Sequence, residues 1–189
     1  MIEIANDVAT HVADFRSAKQ YALAFQSSWP SEILLQRPSA NSWAPIECYD
    51  HLVVVGHLYL TRIRAEYAQH RSDHSAEPPF HHRWYMTKII QLMEPPYRFT
   101  MNTPRGFDPR PLSELQVEDV IQQYITLQDT WIDLLRQHRE VPLDKLKISS
   151  PVSSLIRMNL SEAYAFVAAH QRRHMWQADQ VVNQMEPAL

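Results

Sequence analysis

Apolar side chains return every three or four residues in four separate stretches of the chain, a period that predicts four amphipathic helices. The first covers about Asp7 to Ser27, with Val8, Val12, Phe15, Ala18, Ala22 and Phe25 on one face, and Trp29-Pro30 ends it. The second starts near Pro45, a residue tolerated at the first helical position, and reaches about Gln69. Its middle, Leu52 to Leu60, is apolar almost all round, which suits a helix buried on most sides. The third covers about Ser113 to His138. Ser113 and Gln116 read as its capping box, and Val117, Val120, Ile121, Tyr124, Leu127, Trp131, Leu134 and Leu135 share one face. The fourth begins at Asn159, where Glu162 supplies a similar box, and runs to about Met185.

Four such segments predict an all-α four-helix bundle, formed by a single domain over residues 1–189. Between the second and third helices lies a proline-rich connection, Gln69 to Leu112. A connection that long predicts a functional role or structure of its own, such as a short helix over Trp84 to Met93. It is also long enough to cross the bundle, so the second and third helices need not be antiparallel neighbours.

Composition narrows the chemistry. Two glycines in 189 residues exclude a glycine-rich phosphate loop and favour helices over tight-turned folds. The net charge of -3 comes from interspersed acids and bases, so no basic footprint for nucleic acid is present. Cys48 is the only cysteine, which rules out an intramolecular disulfide and suits a reducing cytoplasm. An acidic start and the lack of a long apolar run predict neither a secretory signal nor a membrane span.

One irregularity breaks the fourth helix. Its apolar stripe, Leu160, Ala163, Tyr164 and Val167, continues through His170 and His174 to Ala178 and Val181, so two imidazoles occupy positions where core leucines belong. Residues four apart stack on one helix face and can grip a single ion from adjacent turns. His70 and His74 repeat the spacing in a polar stretch that reads as a solvated helix end. A catalytic zinc-like site needs a third donor. His51 and His57 are both candidates on the second helix, rotated about 120° from each other, and periodicity does not choose between them.

Trp43 through His51-Leu52, followed downstream by His170-x-x-Arg173-His174-x-x-Gln177, resembles the DinB-like superfamily, whose YfiT-type members are described as metal-dependent hydrolases. The resemblance implies a DinB/YfiT-like four-helix bundle with a long crossover between helices 2 and 3, and it assigns the metal to His51, His170 and His174. It also implies one divalent ion, zinc, nickel or iron, and a homodimer. Relatives include thiol-dependent transferases and isomerases that use low-molecular-weight thiols such as bacillithiol, mycothiol or glutathione, so the expected activity is thiol transfer to, or hydrolysis of, a small electrophile. The alternative is a non-catalytic metal-binding stress-response protein with a structural metal. Neither a nucleic acid nor a membrane is an expected partner.

Other metal classes fail on residues. Zincin proteases place a glutamate where Gln171 stands, and di-iron bundles need Glu-x-x-His on two helices. Glu47, Arg173 and Gln177 are candidates to support the ligands. The plain alternatives are a solvated helix-start acid for Glu47 and a surface or intersubunit ion pair for Arg173. Cys48 is a fourth soft ligand, a nucleophile or inert core, and Trp43 and Trp176 read as packing residues.

Overall fold

The computed structural model describes residues 4–70, 78–96 and 103–185. Its helices are α1 (Val8–Ser28), α2 (Ser31–Leu34), α3 (Pro45–Gln69), α4 (Trp84–Met93), α5 (Val117–Gln137) and α6 (Leu160–Met185), with a two-stranded antiparallel sheet of β1 (Lys147–Ser149) and β2 (Arg157–Asn159). The fold is all-α, as expected. Both the second predicted helix and the short helix of the connection appear with the expected bounds.

The long helices form a ring in which α1 and α3 each lie between α5 and α6. Their directions follow from side-chain pairs. His11 meets Tyr164 and Tyr21 meets Asp179, so α1 and α6 run parallel. Tyr49 meets Tyr124 and Tyr67 meets His138, so α3 and α5 are parallel as well. By contrast, Tyr59 meets Phe166 and His51 meets His174, which makes α3 and α6 antiparallel. Parallel neighbours cannot be joined by a tight turn, and this is why the connection between α3 and α5 must cross the bundle.

Local chemistry sets most helix starts. Asp7 caps α1 by accepting from the Thr10 amide at 2.8 Å, while Thr10 Oγ1 accepts from the Asp7 amide. At α6 the expected box forms: the Asn159 side chain accepts from the Glu162 amide at 2.8 Å, and Glu162 accepts from the Asn159 amide at 2.9 Å. The box expected at Ser113 does not form. Leu112–Glu114 instead makes a single 3-10 turn and α5 begins at Val117, because a turn tightened by Leu115 N–H to Leu112 C=O stops propagation before Gln116. Gly56 faces α5, where an added methyl would overlap Leu127 Cδ2, so the glycine permits close helix approach.

Four polar clamps hold the crossover to the bundle. The Phe80 amide donates to the Asn6 carbonyl at 2.7 Å. Arg83 grips the fully buried Glu162, which accepts from the Arg83 amide at 2.8 Å and from its guanidinium. Arg172 on α6 joins Glu94 and Asp14. Finally, Arg110 donates to the buried Asp50 through its amide at 2.7 Å and its Nε at 2.9 Å. Small residues do the apolar part, since Ala165 and Ala169 of α6 leave room for Ile90 and Met93 of α4.

Glu162 gives the clamp a pH signature. Burial favours its protonated form, but hydrogen bonds from Arg83 and Asn159 outweigh burial and hold the carboxyl below its ordinary value of 4.5. Its contribution is complete above that value and is lost as pH falls through the lower, folded one. We expect Glu162→Gln to lower stability by about 2 kcal/mol in urea unfolding at pH 7, with the difference shrinking below pH 4. A variant as stable as the parent at pH 7 would show that the clamp contributes nothing.

Candidate metal centre

His170 and His174 lie one turn apart on the face of α6 that meets α3, and His51, near the start of the antiparallel α3, arrives opposite them. The ring centroids are 5.2 Å apart for His51 and His170, 4.5 Å for His51 and His174, and 4.6 Å for His170 and His174. One ligand nitrogen from each lies within 4.8 Å of the other two, and among the described residues this is the group able to share an ion. The Nε2 atoms of His51 and His170 are 3.4 Å apart. Two imidazole nitrogens bound tetrahedrally at the usual zinc distance would sit about 3.3 to 3.4 Å apart, so this pair already has the spacing of a shared ion.

The orientation of His51 is fixed from behind. Its Nδ1 lies 2.6 Å from the Phe107 carbonyl, which can only accept, so the proton sits on Nδ1 and the Nε2 lone pair faces the cluster. That carbonyl is delivered by the crossover. Gly106 takes φ 87° in a turn closed by the Phe107 amide on the Pro104 carbonyl at 3.0 Å, and the Asp50–Arg110 clamp fixes the following residues. Trp43 covers the site from α3's start, with its ring 5.0 Å from His51 and 5.8 Å from His174.

Electrostatics keep the three rings uncharged. Burial lowers the His170 pKa to about 3, with the His51 and Arg173 charges adding to the effect. Burial likewise holds His174 well below its ordinary value and lowers His51 despite the opposing Phe107 hydrogen bond. The Nδ1 atom of His174 is buried without a hydrogen bond of acceptable geometry, although Gln177 lies nearby. Three unprotonated imidazoles, one pair at metal-sharing distance and one with an orphaned buried nitrogen, fit a borderline divalent cation.

The cluster lines a cavity of about 650 Å³, walled also by Trp43, Arg173, Gln177, and by Phe107 and Asp108 of the crossover. Arg173 is 6% exposed, so its side chain does not lie at the surface of the chain; it borders the cavity. Glu47 is neither solvated nor in the cavity wall. It is buried at the start of α3, where it accepts from the Ala44 amide at 2.8 Å and pairs with Arg37. Cys48 is fully buried in the apolar core, burial pushes its thiol pKa up, and it takes no part in the cluster. His57 is exposed, His70 ends α3 outside the cluster, and His74 lies outside the described residues. Sequence reasoning missed Asp50 and Phe107 and read Trp43 as packing. Asp50, next to His51 and just ahead of the apolar run Leu52 to Leu60, was the one available signal.

In metal-free protein at pH 7, nitrogen-15 spectra of the imidazoles should show His51 as the Nδ1–H tautomer, and lowering the pH to 5 should leave His170 neutral. Protonation of His170 near pH 6.5 would contradict the burial argument.

A profile of the DinB superfamily matches residues 14–178. No curated protein matches the chain, and no solved structure does. With a bundle of this helix order and a match over most of its length, the chain belongs to the DinB superfamily.

Proposed function

We propose that the protein is a mononuclear metal enzyme in which His51, His170 and His174 hold one divalent ion, zinc, nickel or iron, and act on a small electrophile. The observation that carries this reading is the position of the cluster: three neutral imidazoles meet in the wall of a cavity that opens to solvent, and among the described residues no carboxylate or thiol joins them. A structural site is closed by a fourth protein donor, whereas a catalytic one keeps a position open. When bound, such an ion favours the anionic form of a thiol or of water and polarises a carbonyl.

The chain's own groups do the rest. The Phe107 carbonyl holds the His51 proton on Nδ1 and so keeps Nε2 unprotonated. Trp43 shields two of the rings from solvent. Arg173 supplies a fixed positive charge beside the cluster, suited to an anionic nucleophile or a developing oxyanion. In the transferase form, the thiol sulfur makes a bond to the electrophilic carbon, the leaving group departs with its electron pair, and the thiol proton passes to solvent. In the hydrolase form, water oxygen takes the place of sulfur.

We place this chemistry in the cytoplasm, where the lone buried Cys48 stays reduced. No described helix is long and apolar enough to cross a membrane. The exposed apolar face of α4, Trp84, Tyr85, Ile89 and Leu92, supports a homodimer, and light scattering at micromolar concentration should give twice the chain mass. A monomer mass would remove that part of the reading.

Purified protein should carry one metal ion per chain, and His51→Ala, His170→Ala or His174→Ala should each lose most of it. A panel of low-molecular-weight thiols against model electrophiles should show rate enhancement with metal-loaded protein and none with His170→Ala. Enhancement without added thiol identifies the hydrolase form. Equal activity with and without metal would overturn the proposal, and inactivity joined to a large loss of thermal stability on chelation would make the metal structural.

A further inference from the structure

Outside the cavity wall, two further histidines converge on one hydroxyl. His11 of α1 and His82 of the crossover place their Nε2 atoms 2.9 Å and 2.7 Å from Ser161 Oγ of α6. His11 and Ser161 are fully buried, and His82 is partly covered. The residues around His82 tie the start of the crossover to the bundle: the Phe80 amide donates to the Asn6 carbonyl at 2.7 Å, the His81 carbonyl accepts from the Asn159 side chain at 2.9 Å, and Arg83 holds Glu162. This strip bridges Asn6 and Ser161, and His11 reaches Ser161 from the first turn of α1, so the strip closes over it.

A count of hydrogens shows what the trio tolerates. The hydroxyl has one hydrogen to donate. With both rings neutral, His11 Nε2–H donates to Ser161, Ser161 donates to His82 Nε2, and His11 Nδ1, which is buried without a partner, keeps a bare lone pair. A proton added to either ring changes the same atom. Charged His82 must donate to Ser161, whose hydrogen then turns to His11 Nε2 and leaves the ring proton on Nδ1; charged His11 carries that proton directly. Either way an unpaired N–H is stranded in the interior, which costs more than an unpaired lone pair.

We propose that His11, Ser161 and His82 form an acid-sensitive latch, which holds the start of the crossover against α1 and α6 while both rings are neutral and lets it lift when they take up protons. The surrounding charges do not cancel this preference. Burial lowers the His11 pKa to about 3, with the His82 charge adding to the effect and Asp7 opposing it. Burial also lowers His82, with His81 adding to the effect and Glu162 and Asp144 opposing it, while Arg83 stands next to it in the chain. His11 and Ser161 both lie in the first turn of their helices, where the helix dipole disfavours an imidazolium as well. Lifting the strip returns both rings to water and to the ordinary value of 6.5. The latch is therefore complete above that value and is lost as pH falls below it, a window that begins well before the Glu162 clamp weakens. The released segment carries Phe80 out of the core and leads into α4. None of these residues lines the cavity, so the latch stands apart from the metal reading.

Amide hydrogen exchange on the full chain, corrected for the intrinsic pH dependence of exchange, tests the latch. The Phe80 and Arg83 amides should be less protected than the Trp131 amide at the centre of α5. Their protection should fall at least about thirtyfold between pH 7.5 and 5.0, the effect of His11 alone taking up one proton on opening. His82→Gln should retain that fall, whereas His11→Gln combined with His82→Gln should reduce it to less than about threefold. Phe80 and Arg83 amides as protected as Trp131 at every pH, or a fall that persists in the paired variant, would overturn the proposal. Nitrogen-15 spectra of the unaltered protein give a reading that needs no variant. His11 should be the Nε2–H tautomer at pH 7.5 and still neutral at pH 5.0, and an Nδ1–H tautomer or a charged ring there would equally overturn it.

Discussion

Three uncharged imidazoles must meet inside a bundle whose interior otherwise favours hydrocarbon, and most of the molecule is arranged around that requirement. A buried imidazole gives up water and needs a partner for each nitrogen. His51 finds one in the Phe107 carbonyl, which requires the crossover to arrive at a fixed place. One nitrogen of each ring lies within 4.8 Å of the other two, an arrangement tolerable only while burial keeps the rings neutral. Protonating them would set like charges a few ångströms apart in a low-dielectric interior.

Topology turns this local demand into an architectural one. Antiparallel packing of α3 and α6 brings His51 opposite the His170 and His174 turns, while parallel packing of α3 and α5 forces the chain to travel the length of the bundle between them. The returning segment then roofs the space beside the histidines with Phe107 and Asp108. Its clamps, Arg83 on Glu162, Arg172 on Glu94 and Arg110 on Asp50, lie along its course and each sets a partly exposed guanidinium against a buried carboxylate. The same buried carboxylates that look costly in isolation thus register a long connection that apolar contacts alone would leave free to slide.

The helices and the paired histidines of α6 were legible in the sequence because both rest on periodicity within one element. Val12, Phe15, Ala18 and Ala22 mark α1 without reference to anything distant, and His170 and His174 stand out against the stripe they interrupt. Periodicity failed where α3 is apolar all round: His51 and His57 were equal until a resemblance to a known family favoured His51, and the structure places His57 at the surface. The partners of His51 were invisible for another reason. Phe107 acts through its backbone carbonyl, which every residue has, and Asp50 acts through Arg110, sixty residues away. The strands β1 and β2 were missed because three residues each are too short to show alternation, and α2 because four residues make barely one turn. Arg173 is an exception of its own kind, a charged side chain that is buried in the fold yet borders the cavity.

The central claim is that His51, His170 and His174 together hold one ion and leave it open to a ligand. X-ray absorption on the zinc-loaded protein tests it directly. The account predicts three imidazole nitrogens at about 2.0 to 2.1 Å with a further light atom that an added thiol replaces by sulfur near about 2.3 Å. A shell closed by four protein donors, a shell unchanged by thiol, or a spectrum retained in His51→Ala would contradict it.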